Sequence, residues 1–235
     1  MPARIIAILV GLSLLTSCAQ EMSWEGYNDA AVEAYEQARY AEAEELLLEA
    51  LREAEKFEEQ APRLTTSLNN LALLYLGQDR FAEAEPLFQR SLAIAEKVLG
   101  QEHPDMATSL NNVALVYYNQ GKHAKAEPLY RRALAIREKA LGSEHHYVAM
   151  NLNNLALIYY KQGKNAKAEP LYRRTLAILQ KALGPEHPSV ATVLENYAIL
   201  LRETDRNAEA DKLKARARAI RSEEQERPHR NRRAA

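Results

Sequence analysis

The sequence predicts an all-α solenoid of about five antiparallel helix pairs, and three observations predict it. The stretch from Ser109 to Met150, SLNNVALVYYNQGKHAKAEPLYRRALAIREKALGSEHHYVAM, has close copies 42 residues earlier and 42 residues later. Self-similarity at a fixed period of this size marks a stack of supersecondary units, each too small to bury its own apolar face. Within each copy, apolar residues recur at three- and four-residue spacing, the period of one helix face. Alanine, leucine and glutamate are abundant, while 235 residues hold only 8 glycines and 9 prolines, a composition that favours helix.

Residues 1–17 read as a leader outside the stack. Arg4 supplies a positive flank, and residues 5–15 form an apolar run of signal-peptide length, too short to span a bilayer. Leu15-Thr16-Ser17-Cys18 then resembles a bacterial lipobox. That resemblance implies transfer of a diacylglyceryl group to the Cys18 sulfur and cleavage before it, leaving 18–23 as a lipidated tether. Each buried methylene contributes about 0.8 kcal/mol, so several acyl chains hold a protein on a membrane. Ala19, rather than an aspartate, implies the outer membrane of a Gram-negative envelope, on its periplasmic face. Cys18 is the lone cysteine, which rules out a disulfide within one chain and a cysteine-based metal site.

The first repeat, 24–65, is the most divergent, and Trp24 and Tyr27 are expected to cover the exposed end of the stack, since terminal repeats have one face in water. Repeats follow at 66–107, 108–149 and 150–191. In the middle one the first helix is expected from about Asp105 to Gln120 and the second from about Ala124 to Leu141, with Gly121 and Gly142 ending them and Pro128 in a first turn, where a missing N–H costs least. The capping repeat, 192–221, places Lys212 and Lys214 where proline and tyrosine stood. The charged segment 222–235 contains Pro228 and no apolar stripe, and is expected to fray or stay disordered.

The small residues Ala72, Ala114, Ala156 and Ala198, each followed 12 residues on by Ala84, Ala126, Ala168 and Ala210, resemble the tetratricopeptide repeat. The period of 42, the LNNLA opening, the AEPLY segment and the LG-x-EHP link are similar to the kinesin light chain type, over about residues 24–221. The resemblance implies a right-handed superhelical solenoid whose first helices line a concave groove. In peptide-binding members, asparagines matching Asn70, Asn112, Asn154 and Asn196 grip the ligand backbone. A primary amide offers both donors and an acceptor, as a peptide group requires. Helices pack about 10 Å apart, a distance an extended peptide covers in about three residues. Asn69, Asn111 and Asn153 precede the first three members, and neighbours on a helix diverge by about 100°, so both series cannot face the groove centre. Some asparagines are alternatively expected to bond the adjacent helix and hold the stack in register.

Tyr118 and Tyr160, and the pairs Arg131, Arg132, Arg173 and Arg174, are further candidates for ligand contact. If the arginines edge the groove, the ligand is acidic; if they lie on the outer face, their heads are solvated. His103, His145 and His187 recur one repeat apart, too far to converge on one ion, and are expected to fix the inter-repeat turns.

Net charge is -1, but residues 19–62 carry -10 and residues 63–235 carry +8. No glycine-rich phosphate loop, G-x-S-x-G elbow or H-E-x-x-H helix is present, so the chain reads as non-catalytic and without cofactor. The expected function is a membrane-anchored adaptor for a protein or extended peptide. The alternatives are an assembly subunit of an envelope machine that docks through a convex face or edge, and a subunit that recruits an envelope hydrolase. Nucleic acid binding requires the lipobox to fail, and is unexpected. Cys18→Ala is predicted to move the protein from the membrane to the soluble fraction; unchanged fractionation would remove the anchor.

Overall fold

A computed structural model describes residues 22–56 and 61–233, with side chains as far as residue 225. Cys18 and the lipobox lie outside the described residues. Five helix pairs follow one another: α1 (Trp24–Glu36) with α2 (Tyr40–Glu55), α3 (Ala61–Gly77) with α4 (Phe81–Leu99), α5 (Met106–Asn119) with α6 (His123–Leu141), α7 (His146–Lys161) with α8 (Asn165–Leu183), and α9 (Pro188–Glu203) with α10 (Asn207–Arg233). No strand occurs among the described residues. Each helix packs on its neighbours in the chain, as a solenoid requires.

The alanines at the centre of each pair explain the close packing. Ala72, Ala114, Ala156 and Ala198, and their counterparts Ala84, Ala126, Ala168 and Ala210, are all 0% exposed. Phe88, Tyr130 and Tyr172 are buried between consecutive repeats, where their rings fill volume that small residues leave. Gly121 and Gly163 turn the chain between paired helices with φ of 72° and 71°. Ala38, Asp79 and Asp205 hold the corresponding left-handed turn at φ 58° without a glycine. Each histidine of the recurrent series caps a turn. The Nδ1 atoms of His103, His145 and His187 accept the N–H two residues on, at 3.2 Å, from Asp105, Tyr147 and Ser189 respectively.

Four features differ from the sequence expectation. Boundaries drawn at 66, 108, 150 and 192 fall inside α3, α5, α7 and α9, because they were phased on the repeated motif and not on the turns. The first repeat also stands one residue out of the common period. Ala38 aligns with Asp79 as the turn residue and Ala31 with Ala72 as the buried small residue, an offset of 41. In that register Leu47 takes the place of Phe88. Trp24 does not cover the end of the stack: its indole N–H donates to Ser67 Oγ on α3 at 2.7 Å, so it ties the first repeat to the second. Finally α10 runs on to Arg233, through the segment expected to be disordered. Alanine, arginine and glutamate propagate helix well, and a helix already nucleated by packing extends at little cost.

Consecutive repeats are stapled by one recurring ion pair. A glutamate in the first turn or two of each second helix is reached by a cation at the start of the next repeat's second helix. The pairs are Glu44–Arg80 at 2.5 Å, Glu85–Lys122 at 3.1 Å, Glu127–Lys164 at 3.3 Å and Glu169–Arg206 at 2.8 Å. Tyrosine hydroxyls join the outer two, with Tyr75 donating to Glu44 at 2.9 Å and Tyr197 to Glu169 at 2.7 Å. Arg206, Tyr197 and Arg173 together hold the Glu169 carboxyl well below the usual range, at about 2. Because its folded pKa lies below the unfolded value, Glu169 contributes stability that is complete above about pH 4.5 and lost as pH falls toward 2. Allowing for its partial exposure, Glu169→Gln is expected to cost about 1–2 kcal/mol at pH 7, and to flatten the loss of stability on acidification over that window. Chemical denaturation at a series of pH values measures both.

Candidate functional site

The inner face of the stack is built from the first helices of all five pairs, and one pattern repeats along it. A polar residue is followed three positions later by an aliphatic one: Asp29 and Val32, Asn70 and Leu73, Asn112 and Leu115, Asn154 and Leu157, Asn196 and Ile199. Residues three apart share a helix face, so amides and aliphatic side chains form two parallel ladders. Val32, Leu73 and Ile199 are 57%, 48% and 43% exposed, while their helical neighbours Ala31, Leu74 and Leu200 are buried. The aliphatic ladder escaped the sequence reading, which looked for the buried stripe; its signal is an apolar residue off that stripe in every repeat.

The asparagines divide into two roles. Asn70 Nδ2 donates to Asn28 Oδ1 at 2.9 Å, and Asn196 Nδ2 donates to Asn153 Oδ1 at 3.2 Å. In the register offset of the first repeat, Asn28 is the counterpart of Asn69 and Asn153, so these are one interaction made at both ends of the stack. Asn111 instead exchanges bonds of 3.0 and 3.4 Å with Asn151. Four of the candidate asparagines therefore hold repeats together. Asn112 and Asn154 are half-buried and make no side-chain hydrogen bond within the described residues. Asn69 keeps a buried Oδ1 with no partner. Asn112, Asn154 and Asn69 are the amides left for a ligand.

Crevices open between successive first helices, each floored by the second helix between them. An apolar hollow of about 490 Å³ between α1 and α3 is lined by Val32, Tyr35, Leu73, Leu74 and Asn70, over Ala43 and Leu47. One of about 350 Å³ between α3 and α5 holds Thr66, Asn69 and Thr108 over Ala95 and Val98. Its counterpart two repeats on, about 170 Å³ between α7 and α9, holds Met150, Asn153, Asn154 and Thr192 over Thr175 and Leu179.

The middle crevice, between α5 and α7, is occupied by Arg137. At its register the flanking floors carry Ala95 and Leu179, and the last repeat carries Arg221. Arg221 is neutralised by Glu195, with both carboxylate oxygens at 3.0 Å. Arg137 has only uncharged acceptors: the Tyr147 carbonyl at 3.2 Å, Thr108 Oγ1 at 3.3 Å and the Asn151 side-chain oxygen. Its guanidinium lies over the Tyr147 ring, 5.1 Å from the centroid. Burial pulls its pKa down from the ordinary guanidinium value, yet an arginine stays charged. A cation half withdrawn from water without a carboxylate beside it is an acceptor site for an anion. Sequence reasoning passed over Arg137; the signal was the departure from alanine and leucine at one register position.

The other arginine candidates do not reach the ladders. Arg132 pairs with Glu96 at 2.7 Å and donates to the Gln101 carbonyl at 3.2 Å, while Arg174 pairs with Glu138 at 2.7 Å and donates to the Ser143 carbonyl at 3.1 Å. Arg90 pairs with Glu55 at 2.7 Å. These three tie each second helix to the one before it. Arg173 is held by Glu169 and Tyr197, and Arg131 is exposed beside Glu127. Among Arg131, Arg132, Arg137, Arg173 and Arg174, Arg137 alone has no carboxylate partner. Tyr118 and Tyr160 are half-buried one turn beyond the aliphatic ladder; burial raises the pKa of both, and the Glu203 carboxylate adds to the rise at Tyr160.

A groove arginine that stays for binding contributes little to folding, because replacing a poorly compensated buried charge by an apolar group is often neutral. Arg137→Leu, which installs the residue used at position 179, is expected to leave the melting temperature within about 4 °C of the wild type or raise it; a large fall, read by thermal circular dichroism, would make Arg137 structural.

Comparison with known proteins accords with this architecture. The tetratricopeptide repeat family pattern matches residues 27–97, 63–139, 105–181 and 147–223, an overlapping set that spans the stack. The fold is similar to that of BtubC (BKLC) from P. vanneervenii, at 26% identity and a TM-score of 0.74, covering 86% of this chain and 80% of that one. It is also similar to a putative kinesin light chain of Podospora anserina with nearly identical repeats, at 28% identity and a TM-score of 0.73, covering 86% and 95%. A Rap protein solved with Competence and Sporulation Factor shares the fold at 16% identity and a TM-score of 0.66, over 84% of this chain and 54% of that one. No curated protein sequence matches.

Proposed function

The chain belongs to the tetratricopeptide-repeat family, and from that premise we propose that it is a non-catalytic adaptor that holds an extended, acidic segment of a partner protein in its concave groove. The single observation that carries the acidic preference is Arg137, a half-buried cation between α5 and α7 whose acceptors are all uncharged. Asn112 on α5 and Asn154 on α7 stand on the two helices that wall this crevice, and both have amides free to pair with a peptide backbone. Each such bond contributes about 0.5–1.5 kcal/mol net, short of the roughly 8 kcal/mol of micromolar binding. The aliphatic ladder and a charge-assisted bond to Arg137 supply the rest. The ladders repeat about every three residues of an extended ligand, so the favoured segment carries an apolar side chain at that interval and an aspartate or glutamate at its centre.

In this proposal the Cys18 lipids fix the adaptor to the envelope, at the outer membrane of a Gram-negative cell. What supports the anchor is the lipobox-like sequence before the lone cysteine.

Selection from a random peptide library on the purified protein tests the groove. Peptides rich in aspartate and glutamate are expected, with affinity falling at least about tenfold in Arg137→Glu, which corresponds to one charge-assisted contact. Selection unchanged by that substitution would remove the acidic preference. In-cell crosslinking separates the groove from the assembly alternative. A partner lost in Asn112→Ala/Asn154→Ala binds in the groove, and one retained docks on another face.

A further inference from the structure

The two ends of the stack carry matching halves of the contacts that its repeats make with one another. The staple between repeats joins a cation at the start of one second helix to a carboxylate on the preceding second helix, as in Lys122–Glu85 at 3.1 Å and Arg206–Glu169 at 2.8 Å. In the first repeat that cation is Arg39, and no described repeat precedes it. In the last repeat that carboxylate is Asp211, and no described repeat follows it. Both are used locally instead: Arg39 pairs with Glu42, and Asp211 with Arg202 at 2.8 Å, with side chains 43% and 68% exposed.

The apolar half of the junction is altered in a complementary way. Val116 faces the preceding repeat, in the same buried cluster as Phe88. At the register of Val116 the first repeat has Glu33, which is exposed, and at the register of Phe88 the last repeat has Lys214. Apolar residues at both ends would aggregate without control, whereas an acid at one and a base at the other match in sign. The charge around them agrees: residues 24–56 hold ten acidic and three basic residues, and α10 holds five acidic and nine basic.

We propose that a second copy of this chain docks head to tail, its α1–α2 face on the α9–α10 face of the first, in the register of the internal repeats. Arg39 of one copy then meets Asp211 of the other, and Glu33 meets Lys214. The contact is heterologous, so it propagates copy by copy into a ring or an open filament, and its charge makes it sensitive to ionic strength.

Two differently tagged full-length copies expressed together and recovered in mild detergent test this directly. Wild-type copies are expected to co-precipitate at low salt and to separate in high salt. Arg39→Asp tested with itself puts aspartate against Asp211, and Asp211→Arg tested with itself puts arginine against Arg39. Each self-pair is expected to lose at least tenfold of the recovered partner. One tagged Arg39→Asp copy combined with one tagged Asp211→Arg copy restores opposite charge at every junction and is expected to recover co-precipitation. Circular dichroism of each variant checks that it remains folded. Absence of wild-type capture, capture indifferent to the single changes, or failure of the mixed pair to recover would each overturn the proposal.

Discussion

The surface that a pair of short amphipathic helices must bury is larger than the pair can cover alone. The pairs here meet at alanines that are fully buried in each of the later four repeats, which brings two helix backbones close but leaves apolar flanks open on both sides. Phe88, Tyr130 and Tyr172 close one flank only when another repeat is laid on it. Stability therefore accrues from neighbour to neighbour, and every junction needs a device that fixes register. The recurring glutamate staple, the Asn70–Asn28 and Asn196–Asn153 bonds and the Arg132–Glu96 type of pair serve this purpose at different depths. Their side chains are polar because the junction margins are wet, while the centres stay apolar.

In the proposed function, the binding groups are what remains once those needs are met. Among the repeated amides, those with a partner on the adjacent helix are spent on register, and Asn112 and Asn154 in the middle are not. Arg137 stands in the crevice between α5 and α7, the helices that carry them, where alanine or leucine would pack without desolvating a charge. Its counterparts Ala95 and Leu179 are apolar, and the charged one, Arg221, has Glu195 to neutralise it. The central crevice thus differs from its neighbours in chemistry while sharing their backbone.

The same logic extends to the ends. Position by position, the outermost repeats replace apolar junction residues by charges, Glu33 at one end and Lys214 at the other. Charge there keeps the end surfaces hydrated. Because the signs are opposite and the staple residues Arg39 and Asp211 are retained, the ends are also complementary to one another.

The sequence by itself determined the fold class, the number of helix pairs, the buried alanines and the histidine-capped turns, because these follow from periodicity and local backbone chemistry. It also carried the lipobox-like signal at Cys18. Only the tertiary structure decided which amides are spent within the stack, since Asn69 and Asn70 are adjacent in sequence, yet Asn70 bonds Asn28 on α1 while the Asn69 oxygen has no partner. It alone moved the candidate cation from the arginine pairs to Arg137, whose three acceptors come from Thr108 on α5 and from Tyr147 and Asn151 on α7. It alone showed the first repeat to be offset by one residue, a shift that changes which side chains at the two ends correspond. Each of these depends on distances across repeats, and a one-dimensional period specifies that residues are equivalent without specifying what lies opposite them.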